Sequence, residues 1–280
     1  MKVFISADIE GVTGLVSWIQ AGRPSSEHYD WLFARRMMTH DVNAAIRGAR
    51  AGGATEVVVK DSHGTSRNLL IDELEPGVEL LSGTSPHANG MMTGLDPSFD
   101  CAMLVGYHAM AGTLAGVMEH TISGAVHRFW INDMPAGEIA LSTATAGDFG
   151  VPLVFVSSDD KGCHESESLV EGVVTAVVKE GIGRYVAKLK HPSITGPLIE
   201  SAAKKAVETQ SQIGAWVPAL PVTVKIEHNT TEQTDAAALL PGWSRIDAYT
   251  VEFIADDWAT AHRATRRAME IAALAVRIHQ

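Results

Sequence analysis

Apolar positions along the chain follow two rhythms. Short β-branched runs bounded by Gly, Asp or Pro predict buried strands at Val3–Ala7, Glu56–Lys60, Val78–Leu81, Ala102–Gly106 and Ala125–Ile131, then at Pro152–Val156, Val173–Val178, Val222–Glu227 and Ala248–Ile254. Three-to-four spacing predicts helices over Glu27–Ala51, closed by Gly52-Gly53, over Ile194–Glu208, and over Asp256–Ile278 with Asp256 or Asp257 as N-cap. The Ala-rich stretch Gly137–Asp148 predicts a shorter helix. Strands alternating with helices imply an α/β fold: a mainly parallel sheet flanked by helices in three layers, with a smaller C-terminal αβ unit. The division expected is a main domain over residues 1–190 and a smaller unit over 191–280, either separate or continuous with it.

The predicted periodicities locate candidate chemistry, because ligands of parallel sheets collect outside the carboxyl ends of the strands. The first strand runs into Asp8 and Glu10, the second into Asp61 and His63, and the strand "CAMLVG" into His108. If the first strand persists to Glu10, its alternation points Asp8 and Glu10 to the same face. Downstream, "GVMEHT" carries Glu119 and His120, and "INDMPAGE" sets Glu138 at the start of the short helix. Each such residue alone is explained by a turn, a cap or a structural hydrogen bond. Their convergence on one sheet edge is not.

Composition narrows the partner. The chain has 280 residues, is 46% hydrophobic and 20% charged, and has a formal net charge of −11. It has no Lys/Arg run, so neither a nucleic-acid backbone nor an anionic membrane is the expected partner. No stretch approaches the roughly 20 apolar residues of a membrane helix, and the N-terminus has no signal-peptide pattern, so the expected compartment is the cytoplasm. Cys101 and Cys163 have no metal spacing and are expected as thiols. Histidines number 12. Imidazole with carboxylate and no thiolate suits zinc, manganese, iron or cobalt. Asp8, Glu10 and Glu138 against one divalent ion leave net negative charge. Against two they leave net positive charge, which a bridging hydroxide neutralises, as in hydrolytic two-metal centres. Asp8, on the first strand, is the candidate bridging ligand.

The motifs "ADIEGVTGL", "VVVKDSHG", "LVGYHAMAG", "GVMEHT" and "INDMPAGE", in this order, resemble the bacillar D-aminopeptidase family of zinc-dependent peptidases. The likeness is clear over residues 1–160 and looser to the last helix. It implies release of N-terminal D-amino acids from short peptides with a free N-terminus. It also implies two zinc ions per subunit on Asp8, Glu10, His63, His108 and Glu138, with manganese or cobalt as substitutes, and a catalytic role for His120. It further implies homodecamers of two stacked pentamers. Asp61 and Glu119 are expected as carboxylates supporting the ligands.

Two other readings compete. "DIEGVTG" with "FVSSDDKG", which carries Asp159 and Asp160, resembles a magnesium-dependent haloacid-dehalogenase-like phosphatase, but magnesium prefers oxygen and leaves the histidines unexplained. A non-catalytic metal- or peptide-binding protein is the other. His28, His40 and His127 read as structural positions, Trp130 and Trp243 as packing residues, and Arg266-Arg267 as the solvated face of the last helix.

Overall fold

The computed structural model describes residues 1–22, 30–84 and 89–278, with side chains to residue 275. The expected helix start at Glu27, and His28 with it, lie outside the described residues. The chain runs β1 (Lys2–Ala7), α1 (Trp18–Ala21), α2 (Trp31–Ala51), β2 (Glu56–Asp61), β3 (Glu79–Leu81), β4 (Cys101–Val105), β5 (Val126–Ile131), β6 (Met134–Pro135) and α3 (Glu138–Asp148). It continues through β7 (Leu153–Asp159), α4 (Asp160–Leu169), β8 (Val174–Gly183), β9 (Val186–Leu189), α5 (Pro192–Glu208), β10 (Val222–His228), α6 (Thr231–Ala238), β11 (Ser244–Arg245), β12 (Thr250–Ala255) and α7 (Trp258–Ile278).

Seven strands form the main sheet in the order β3-β2-β1-β4-β7-β8-β9. All its pairs are parallel except β8 with β9. Every residue of β4 and β7 is buried, as expected of parallel strands covered on both faces. Register is what makes the site. Ala7 lies opposite Asp61 on one side and Val105 on the other, so β1, β2 and β4 end level and release their next residues at one edge. Because β2 and β4 flank β1 on opposite sides, that edge is a topological switch point.

β1 ends at Ala7, where the strand was expected to end, and does not persist to Glu10. The chain leaves the sheet there because Gly11 N–H donates to the Gly106 carbonyl at 2.8 Å, folding residues 8–11 over the end of β4. That approach admits no side chain: a Cβ on Gly11 would lie 1.7 Å from the Tyr107 carbonyl oxygen. Gly106, at φ +72°, is constrained likewise: a Cβ there would lie 2.4 Å from the Asp8 carbonyl oxygen.

β5 and β6 do not join the main sheet. They pair with β10 in a second, antiparallel sheet, ordered β11-β12-β10-β5-β6. Here β10 alternates buried Val222, Val224 and Ile226 with half-buried residues, the signature of a sheet covered on one face, by α6 and α7. The division between the two sheets therefore does not fall at residue 190. The later α5 puts Ile199, Ala203 and Val207 into the core of the main sheet, packed on α2, while the earlier Phe129 and Ile131 belong to the second core. Between the two cores runs α3, buried along Glu138–Gly147 and touching β7, α4 and α7. At the head of α7, Asp257 is the capping residue, accepting from Thr260 N–H at 2.7 Å.

Candidate metal centre

Six side chains converge at the switch point. Asp8 and Glu10 come from the turn after β1, His63 from the loop after β2, His108 from the end of β4, and His120 from the loop that follows. Glu138 is the first residue of α3, where the helix dipole favours a carboxylate, and it accepts from Ile122 N–H at 2.6 Å. Nε2 of His108 lies 3.3 Å from Glu138 Oε1 and 3.6 Å from Asp8 Oδ2. Nε2 of His63 is 3.2 Å from Glu10 Oε1, and Nε2 of His120 is 3.5 Å from Glu138 Oε1 and 4.0 Å from Glu10 Oε1. The rings of His108 and His120 stack with centroids 4.1 Å apart. Potential ligand atoms of Asp8, Glu10 and His108, and of His108, His120 and Glu138, lie within 4.8 Å of one another.

The set is short of positive charge. His108 Nδ1 donates to the Ala109 carbonyl at 2.9 Å and His120 Nδ1 to the Met118 carbonyl at 3.0 Å, so each ring, when neutral, presents an Nε2 lone pair to carboxylate oxygens. Asp8 Oδ2, Glu10 Oε2, His63 Nδ1 and His108 Nε2 are buried without a hydrogen-bond partner. Titration behaviour follows. Burial, then Glu10 and Glu138, hold the Asp8 carboxyl well above its ordinary range. Burial opposes charge on His63 and His108 too, yet Glu10 drives His63 up to about 9, and Glu138 drives His108 well above its usual value. His120 alone among the three histidines is lowered, by burial and by neighbouring His108. Buried, unpaired and mutually repelling oxygens beside imidazole lone pairs fit hard-to-borderline divalent cations, and their carboxylate–imidazole chemistry fits zinc.

The expected supporting carboxylates do other work. Asp61 accepts from Asn68 N–H at 2.6 Å, Leu69 N–H at 2.8 Å and the Asn68 side-chain amide at 2.9 Å, anchoring the His63 loop and not the imidazole. Glu119 turns away from the cluster, accepting from Gly112 N–H at 2.6 Å and pairing with Arg184 at 3.4 Å. Asp159 and Asp160 hold scaffold: Asp159 caps α4 and accepts from Val117 N–H, and Asp160 pairs with Lys161 and accepts from Gly181 N–H. No magnesium-type acidic motif is assembled from them. Cys101 and Cys163 are buried free thiols, and burial pushes Cys101 up to about 12.

The D-aminopeptidase family profile matches residues 1–267. A D-aminopeptidase of Bacillus subtilis (strain 168) is 35% identical over 276 residues, covering 97% of this chain and 98% of that protein. The chain belongs to the D-aminopeptidase family. Membership makes it a hydrolase of the peptidase class. A solved structure described as the Zn-dependent D-aminopeptidase DppA from Bacillus subtilis, a self-compartmentalizing protease, is 34% identical with a TM-score of 0.92, over 97% of this chain and 98% of that one.

In this member of the D-aminopeptidase family the cluster opens into a cavity of about 1010 Å³. Trp18 sits on its wall with its ring edge-on to His120, centroids 4.9 Å apart. Two kinds of residue escaped the sequence reading. Lys179 of β8 is fully buried and its ammonium donates to the carbonyls of Glu10, Val12 and Leu15 at 2.6–2.9 Å, pinning the chain just after Asp8 and at Glu10. Glu165 of α4 accepts from Met110 N–H, and burial pushes it up to about 7. A lone Lys in an apolar strand was the available signal for the first; nothing in "HESES" marks the second. Arg266 and Arg267, expected on a solvated face, line the cavity with Arg263. Among the described residues, no helix is long and apolar enough to cross a membrane.

Proposed function

We propose that the protein is a cytoplasmic, zinc-dependent aminopeptidase that releases N-terminal D-amino acids from short peptides. One observation carries the reading: buried carboxylate and imidazole atoms without partners, converging at the base of a peptide-sized cavity in a chain of this family. Asp8, Glu10, His63, His108 and Glu138 would hold two ions, with manganese or cobalt able to substitute. Zinc so bound polarises a carbonyl and lowers the pKa of water.

The chain's own residues supply the rest. His120 is 12% exposed on its side chain where His108 is 0%, and it borders the cavity. Its Nδ1–H is fixed on the Met118 carbonyl and its pKa is lowered, so at neutral pH Nε2 is a free base facing the cavity. Nε2 takes a proton from the attacking water and returns it to the departing amine. Trp18 and the stacked His108 limit rotation of the ring. Exposed Ile182, Tyr185, Val186 and Leu189 on the β8–β9 hairpin offer an apolar surface for self-association into a homodecamer of two stacked pentamers.

The deciding experiment loads the purified protein with zinc, counts bound metal, and assays D- and L-alanyl amides side by side. Two zinc ions per chain and cleavage of the D form alone are expected. Trace metal after reconstitution overturns the reading, and equal rates on both forms overturn its stereochemical part.

A further inference from the structure

From the walls of the cavity we infer that the protein selects peptides by their free C-terminal carboxylate, which Arg263 and Arg266 of α7 bind. The inference rests on the aminopeptidase reading and extends it from the scissile end of the substrate to the other end. The chain is strongly acidic, yet outside the ligand set its cavity wall carries Lys60, Arg184, Arg263, Arg266 and Arg267 against one carboxylate, Glu270. Such a reversal of sign in one concavity selects anions.

Existing partners show which of these cations can engage a ligand. Lys60 Nζ is held by the Asp61 and Gly83 carbonyls at 2.7 and 3.0 Å, and Arg184 by Glu119. Arg267 is paired with Glu270 at 2.8 Å. Arg266 reaches Glu270 only at 3.7 Å, and Arg263 donates to the Thr260 hydroxyl at 3.1 Å and has no ion pair among the described residues. Arg263 and Arg266 stand at i and i+3, neighbours on one helix face. Two guanidiniums so placed match a carboxylate, which accepts paired N–H groups from each.

Size agrees. The metal-site carboxylates are buried at the base and the α7 arginines are part-exposed at the rim of the same cavity. A sphere of the cavity's volume is about 12 Å across, and three extended residues span at most ~11 Å. A tripeptide, its scissile carbonyl at the metal centre, thus nearly matches that width, and its α-carboxylate is the anion that meets the arginines.

The test compares D-alanyl-D-alanyl-D-alanine with its C-terminal carboxamide, on zinc-loaded wild type and on R263Q, R266Q and the double variant, reading the ratio of the two kcat/KM values. A ratio is unaffected by a misfolded fraction. The wild type is expected to favour the acid by about 10-fold or more, mostly through KM, and the double variant to bring the ratio near one. Equal hydrolysis of both forms by the wild type overturns the inference alone. So does a double variant with the wild-type ratio, the result if this face instead contacts another copy of the chain and both rates fall together. Hydrolysis of neither form by the wild type overturns the peptidase reading and the inference with it.

Discussion

Two groups of buried charge hold the same turn, residues 8–15, from opposite sides. On one side the Lys179 ammonium donates to three backbone carbonyls, while Asp41 accepts from Thr13 N–H and Thr13 Oγ1 at 2.8 Å and from His40. On the other, Asp8 and Glu10 each keep an oxygen with no hydrogen-bond partner among the described residues. Both groups cost desolvation free energy, but only the first recovers it within the chain. A completed polar network fixes the backbone; an incomplete one a few residues away marks where something else must bind.

Substitutions can break this contrast, because the two groups should respond with opposite signs. Asp8→Asn should abolish the second metal position and lower kcat/KM at least ~10³-fold, measured with metal content on zinc-loaded protein. In metal-free protein the same change should leave the melting temperature unchanged or higher, because it removes one of three crowded carboxylates. His120→Ala should lose about 10²–10⁴-fold in kcat with wild-type zinc content, which separates a proton-transfer role from ligation. Lys179→Met strands three buried carbonyls and should cost about 3 kcal/mol in urea denaturation, with or without zinc. Wild-type stability there would show that the completed network is dispensable.

The smallest effect is electrostatic. The hydrogen bond that His40 donates to Asp41 raises the imidazole above its ordinary 6.5 in the folded state. Its stabilisation is therefore fully present below 6.5 and lost as pH rises through the raised value. A His40→Asn series should differ from wild type by about 1 kcal/mol or less, with the gap closing as pH rises. A gap that widens with pH would reverse the assignment.

Much of the metal centre was legible because parallel register does half the work. Once β1, β2 and β4 are read as neighbours, the residues that follow them must emerge together, and Asp8, Glu10, His63 and His108 do. How the chain turns after β1 was not legible, since the path of residues 8–11 depends on a backbone contact between Gly11 and residues 106–107 that no local pattern encodes. Nor was the placement of β5, whose apolar run fits either sheet until β10 is known to lie beside it. The polar α4 escaped because its buried face is Gly162, Cys163 and Ser166, small residues that leave no apolar stripe. Arg266 was misread for a related reason. A charged helix face looks solvated in sequence, and here it shares a cavity with Asp8 and Glu10 after β1, Lys60 of β2 and Glu138 of α3.

The interleaving of the two sheets has a consequence in time. β5 leaves the ribosome roughly 90 residues before β10, its partner in the second sheet, a wait of about 5–20 s at ordinary translation rates. During that interval the first strands and their ligands are already made, but the second sheet has no centre and α7, with its arginine rim, does not exist. A chain built this way cannot present a finished cavity until its last helix is in place.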